Sequence, residues 1–214
     1  MASPVAGVLS AKHALAVLLL ILGSYPACHA GENVTAILAG HPELGEFGSL
    51  LASTGLTLDI MGRIDPLTVL AVDNDGMAPL RNMPREAIRQ HLSLHVLLGL
   101  YDPDMLGRLL PGESAELTTL FQRPSGDAPR GVGIVEVSGP DPVDRYPRVS
   151  FVPGGPGVGS GVWRLAFFVK SVYEDPNMVV LQVSATMSAP WLPGSPARRD
   201  GSGGDAAGSG AKKN

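Results

Sequence analysis

At Pro111-Gly112 the apolar residues stop recurring every three or four positions and begin to fall in short β-favouring stretches. Before that point the pattern is helical. Glu32 to Leu58 reads as a helical stretch whose first turn, capped by Asn33 or Thr35, carries Ile37 and Leu38. His41-Pro42 interrupts it, and Leu44, Phe47, Leu50 and Leu51 then form one apolar stripe. Pro84 opens another helix, in which Ile88, Leu92 and Val96 lie four apart and Leu94, Leu97 and Leu98 widen the apolar surface as far as Gly99. Asp102-Pro103-Asp104 begins a short further turn through Met105, Leu106 and Leu109. The one strand of this part is Leu67 to Val72, an apolar run bounded by Asp65-Pro66 and Asp73-Asn74-Asp75-Gly76. After Pro111-Gly112, strands are expected at Glu116 to Phe121, Gly133 to Val137, Val149 to Val152, Trp163 to Val172 and Val179 to Val183. In the fourth, Trp163, Leu165, Phe167 and Val169 alternate with Arg164, Ala166, Phe168 and Lys170, the pattern of a strand with one better-buried face. The 27 glycines and 19 prolines supply the many turns that such short elements need. The expected class is α+β: a single domain of helices packed on mostly antiparallel strands.

The ends of the chain read differently. Lys12 is followed by the unbroken apolar run Leu15 to Leu22, then by Gly23, Ser24 and Pro26, and Cys28-His29-Ala30 places small residues ahead of a cleavage point between Ala30 and Gly31. This is the layout of a secretory signal peptide, and the apolar run is too short for a membrane span, which needs about 20 residues. Cleavage removes the single cysteine, so the mature domain has to hold together by its core alone. The expected organisation is a signal peptide over 1–30, a domain over 31–190 and a Gly/Ser/Pro-rich disordered tail over 191–214. No apolar tail of a lipid-anchor signal precedes Lys212-Lys213-Asn214, so the expected destination is the extracellular space or cell surface without such an anchor.

Candidate chemistry is sparse. A net charge of −4 with 5% aromatic residues argues against a nucleic-acid partner, which calls for clustered cations and stacking rings. His91 and His95 stand four apart on a helix, as two metal ligands can, but Leu92 occupies the place of a zinc-protease general base and no third ligand follows by spacing. Asp73-Asn74-Asp75-Gly76 opens like a calcium loop, yet its glycine is misplaced and Pro84 stands where a bidentate glutamate belongs, so a turn and helix cap is expected. Glu43 with Glu46, and Asp102 with Asp104, are expected on solvated faces. No nucleophile elbow, phosphate loop or dinucleotide fingerprint appears, and the expectation is a non-catalytic protein without metal or cofactor. Asn33-Val34-Thr35 is an N-glycosylation sequon on an exported chain. Pro190 and Pro196, in short Ser/Ala/Pro elements, are candidates for O-glycosylation.

Four ordered segments carry a resemblance. Asn33-Val34-Thr35-Ala36-Ile37-Leu38 with His41-Pro42-Glu43, then Thr68-Val69-Leu70-Ala71-Val72-Asp73-Asn74 with Met77, then Leu92-Ser93-Leu94-His95-Val96-Leu97 with Tyr101, and finally Phe168 to Pro176 with Val180-Leu181-Gln182-Val183-Ser184 resemble the fasciclin domain. Within that family the chain is similar to the plant fasciclin-like arabinogalactan proteins. The resemblance covers Asn33 to Met187. It implies a β-wedge with several helices, no shared enzymatic activity, and a role in adhesion or in contacts with cell-wall and extracellular-matrix components, glycans or other surface proteins. His95 and Tyr101 fall on the segment that the family implicates in adhesion; for His95, inside an apolar run, the preferred reading is a core histidine with satisfied ring nitrogens. The chain departs from the family in its short Pro/Ala/Ser elements, in its lack of a lipid-anchor tail, and at Asn177, which is followed by Met178 and Val179 and so forms no sequon. A second reading is a carrier that binds a small apolar ligand in a cleft between helices and strands. A metal-dependent hydrolase is the third.

Overall fold

The computed structural model describes residues 33–121, 130–140, 148–158 and 164–194. The expected leader, its cleavage point at Ala30 and Gly31, Trp163, and Pro196 with most of the expected tail lie outside the described residues.

The first helix, α1 (Val34–Ala39), starts where the Asn33 carboxamide oxygen accepts the Thr35 N–H at 2.9 Å, and it buries Val34, Ile37 and Leu38. A 3-10 turn, Pro42–Leu44, leads into α2 (Gly45–Thr54), which buries Phe47 and Leu51. Gly55 ends α2 with φ at 81°, a left-handed conformation that glycine adopts without strain, and the chain restarts at once as α3 (Leu56–Met61). The helical stretch predicted to Leu58 is thus three short helices with a turn among them.

Strand β1 (Leu67–Val72) is buried at every position. After a turn and the 3-10 segment Ala78–Leu80 comes α4 (Arg85–Leu94), with Pro84 as its N-cap residue. The helix expected to reach Gly99 stops at Leu94. His95 turns the chain, and Val96–Leu98 becomes strand β2, antiparallel to β1 with Val69 opposite Val96 and Leu67 opposite Leu98. The short helix α5 (Pro103–Gly107) is capped by Asp102, whose carboxylate accepts the Met105 N–H at 2.7 Å. Strands β3 (Ser114–Thr118), β4 (Ile134–Ser138), β5 (Ser150–Pro153), β6 (Ala166–Glu174) and β7 (Met178–Val183) follow, each within a few residues of the predicted stretch.

The seven strands form one sheet in the order β2-β1-β7-β6-β5-β4-β3, in which only β1 and β7 are parallel. The two ends of this order meet: Leu97 bridges Thr119, and Leu120 donates its N–H to the Val96 carbonyl at 2.7 Å. The α+β expectation with mostly antiparallel strands holds. On β6 the better-buried face belongs to Ala166 and Phe168, while Val169 is 47% exposed; two register shifts against β7 break the alternation that the sequence shows. β1 and β7 are buried at every position and so on both faces, which is why they read as mainly apolar runs without alternation. The packing runs beyond the boundary drawn at residue 190 from composition. Leu192 is buried, the Trp191 ring lies 5.1 Å from that of Phe121, and its N–H donates to the Gly154 carbonyl at 2.9 Å.

Candidate functional site

The histidine–tyrosine segment sits where α4 gives way to β2. His95 is fully buried and uses both ring nitrogens: Nδ1 stands 3.0 Å from the Leu70 carbonyl, and Nε2 stands 3.0 Å from the Met187 N–H. Since a backbone N–H only donates, Nε2 carries the lone pair and Nδ1 the hydrogen, which fixes the neutral tautomer. The Leu70 N–H returns a bond to the His95 carbonyl at 2.7 Å. One imidazole therefore ties β1 to the segment following β7. Phe47 of α2 meets the ring edge-on, with centroids 6.1 Å apart. Complete burial pushes the His95 imidazole down to about 4, against the pull of the Leu70 carbonyl.

His91, one turn earlier, is also buried, and its Nε2 bonds the Pro193 carbonyl at 3.0 Å. Burial lowers its pKa as well. Its Nδ1 meets no partner among the described residues. The two histidines make no chelate, because His95 has no nitrogen left for a metal. Among the described residues no group of three His, Cys, Asp or Glu side chains stands close enough to hold one.

Tyr101 is half-buried against the core, with its N–H donating to Thr68 Oγ1 at 2.8 Å. Thr68, itself buried, donates onward to the Gly99 carbonyl at 2.9 Å. Gly99 has φ at 136°, and a Cβ there would stand 3.0 Å from the Tyr101 ring, so both the conformation and the close approach require glycine. Of the candidate adhesion pair, only Tyr101 reaches solvent; His95 offers nothing to a surface partner, since its side chain is wholly spent inside.

The Asp73-Asn74-Asp75-Gly76 segment is a turn, with Asp73 Oδ1 accepting the Gly76 N–H at 2.7 Å, and it caps a helix in an unexpected direction. Asn74 Oδ1 accepts the Glu46 N–H at 2.9 Å, so it caps α2 from across the fold, and its Nδ2 donates to the Pro42 carbonyl at 3.0 Å. Arg81 completes the arrangement, binding Glu46 through two bonds of 2.9 Å and the Asn74 carbonyl at 2.8 Å. Glu46 is therefore not freely solvated as expected, and the pairing lowers its pKa. Glu43 is at the surface, where its own backbone hydrogen bond and Lys170, 3.2 Å away, lower its pKa.

Asn33 is exposed, and so is Pro190. Two open clefts of several hundred Å3 mark the surface. The one between α3 and α4, about 540 Å3, is walled by Asp59, Arg63, Glu86 and Arg89; the other, about 570 Å3, lies across β3, β4 and β5 with Glu116, Arg130 and Glu136 in its wall. The charged wall of the first cleft does not suit the apolar cargo that a carrier reading calls for, whereas the second also has Ile134, Val152, Pro153 and Val158 in its lining. Among the described residues no helix is long and apolar enough to cross a membrane.

No family model matches the chain. Over 170 residues it is 34% identical to fasciclin-like arabinogalactan protein 8 of Arabidopsis thaliana, a match covering 78% of this chain and 38% of that protein. Over 181 residues it is 31% identical to fasciclin-like arabinogalactan protein 3 of the same plant, covering 84% of this chain and 60% of the relative. The chain thus spans between about two fifths and three fifths of the length of these relatives. Among solved structures, a FAS1 domain pair from the insect cell adhesion molecule fasciclin I aligns with a TM-score of 0.49 at 16% identity, over 70% of this chain and 46% of that one.

Proposed function

The described domain belongs to the fasciclin-like arabinogalactan protein family, and on that premise we propose that this chain is an exported glycoprotein whose fasciclin-type domain makes adhesive or wall-matrix contacts without catalysing a reaction. The observation that carries this reading is the likeness to several such proteins over most of the chain. The leader-like stretch before Gly31 supports export. The exposed sequon at Asn33 supports N-glycosylation, and exposed Pro190 is open to hydroxylation and O-glycosylation. The engagement of both His95 ring nitrogens by backbone groups supports a structural role for that residue, with Tyr101 as the solvent-facing member of the segment. Single-domain contacts of this kind are weak and gain strength when many copies crowd one surface.

Expression of the full chain in plant cells, with fractionation and mass spectrometry, tests the reading. The expected product is recovered from the medium or wall fraction, begins at Gly31 and carries a glycan on Asn33. Beads densely coated with it should cluster or bind wall material, whereas sparse coating should not. Retention in the cytosol with the leader attached sinks export; failure of densely coated beads to bind anything sinks adhesion.

A further inference from the structure

The cleft between α3 and α4 has a cation that no described residue pairs. Arg89, which also lines it, is engaged: its guanidinium donates to the Thr54 carbonyl at 3.0 Å and pairs with Asp59. Glu86 accepts from Gln90 at 3.3 Å, and the Ser93 hydroxyl donates to the Arg89 carbonyl at 2.7 Å. Arg63, half-buried just beyond the end of α3, makes no ion pair among the described residues, and its Nε is shielded from water with no acceptor. The shielded Nε is as far out of a ligand's reach as out of water's, so a partner for Arg63 has to come to the terminal nitrogens of the guanidinium, where an anionic oxygen makes a charge-assisted hydrogen bond.

We propose that this cleft is a binding site for an acidic sugar, with Arg63 pairing the sugar's carboxylate. Its volume of about 540 Å3 is that of a small-ligand site and accommodates a sugar unit or two. The ligand's charge follows from the wall. Arg89 is paired with Asp59, which leaves Arg63 as the cation in this wall without a described ion-pair partner, and a singly charged carboxylate is met by it; a doubly charged phosphate would leave a second negative charge uncompensated beside Asp59 and Glu86. The ring follows from the remainder of the lining. The Gln90 amide and Ser93 hydroxyl suit sugar hydroxyls, while Leu58, 75% exposed at the rim, and Phe121 offer the apolar surface on which the C–H face of a sugar packs. This supplies a ligand for a surface role of the kind proposed above, but it rests on the geometry of the cleft and is tested on the purified chain, so failure of either leaves the other standing.

The test compares a galacturonic acid trisaccharide with the neutral galactose trisaccharide by titration calorimetry and by amide shifts in NMR. The acidic sugar is expected to bind, shifting Arg63, Gln90 and Ser93, and the neutral one to bind at least about tenfold more weakly. Arg63→Gln should weaken the acidic sugar about tenfold or more with an unchanged melting temperature, and Arg63→Lys should restore part of the affinity. If Arg63→Gln lowers the melting temperature, the wild-type shift map decides. Equal binding of both sugars, equal binding of cyclohexanecarboxylate, undiminished affinity in Arg63→Gln, shifts confined to other surfaces, or no response at millimolar sugar each overturn the proposal.

Discussion

Replacing His95 by alanine leaves the Leu70 carbonyl and the Met187 N–H without partners in the core, as well as a cavity beside Phe47. The cost should be about 3 kcal/mol or more by urea unfolding at neutral pH. The same residue makes stability depend on pH. The folded chain keeps His95 neutral down to about 4, whereas the unfolded chain takes up a proton near the ordinary value of 6.5, so the unfolded state binds more protons in between. Stability is therefore full above about pH 6.5, falls as the pH drops below it, and has lost about 3 kcal/mol from this group once the pH passes below about 4. Burial of His91 acts in the same direction. The deficit of His95→Ala against the wild type should shrink as the pH is lowered from 7 to 5; a deficit constant across that range refutes the role given to the ring. Asn33 separates two roles in the same way. Its Oδ1 caps α1 while its Nδ2 is the atom a glycan would occupy. Thr35→Ala and Asn33→Asp should both abolish the glycosidase-sensitive mobility shift while changing stability by less than about 0.5 kcal/mol, whereas Asn33→Ala should also remove the cap, at about 1 kcal/mol.

Where α4 ends and β2 begins is the element boundary that the sequence conceals. Leu92, Leu94, Val96 and Leu97 are all buried, so the apolar pattern through this stretch satisfies a helix and a strand alike. What decides is distant in sequence: β1 offers Val96 a ladder partner at Val69, and the chain after β3 offers Leu97 a second one at Thr119. Elements bounded by local chemistry were legible. Asn33, Pro84 and Asp102 each mark a helix start within reach of their own side chain or backbone conformation, and β1 and β7 announce themselves as apolar runs, whereas the break at Gly55 was not read. The parallel pairing of β1 with β7 has no local signature at all. That pair should be the most protected part of the molecule, since each strand is buried on both faces and paired on both edges. In native-state hydrogen exchange the amides of Leu70, Val180 and Leu181 should be among the slowest, and those of α5 and of the largely exposed β3 among the fastest. Phe47→Ala, at the point where α2 packs against His95, should cost about 3–5 kcal/mol. A loss under about 1 kcal/mol there would mean that α2 is not part of the cooperative core.

Across the whole domain, long-range assembly explains why the acidic-sugar cleft was invisible in the sequence. Its walls come from residues 56–63, 86–93 and 120–121, and nothing about Arg63 in isolation distinguishes it from any other surface arginine. His95 was legible for the opposite reason, because a histidine inside an apolar run has few outcomes other than a satisfied core position. The same contrast governs what holds the domain together. Its ion pairs, such as Arg81 with Glu46, Arg89 with Asp59 and Lys170 with Glu43, have at least one member substantially exposed, and pairs of this kind contribute about 0–1 kcal/mol each and are screened by salt. The buried cluster runs from Val34 to Leu192 through all the central strands, with each fully buried leucine or phenylalanine contributing about 1.5–3 kcal/mol. Unfolding in urea should therefore shift by no more than about 1 kcal/mol when sodium chloride is raised to about 1 M. A core of this kind also makes the m-value for unfolding scale with the apolar surface of one cooperative unit. A fall of several kcal/mol in high salt would place the stability in the surface pairs, and a biphasic transition would show that the packed chain from Val34 to Leu192 does not unfold as one body.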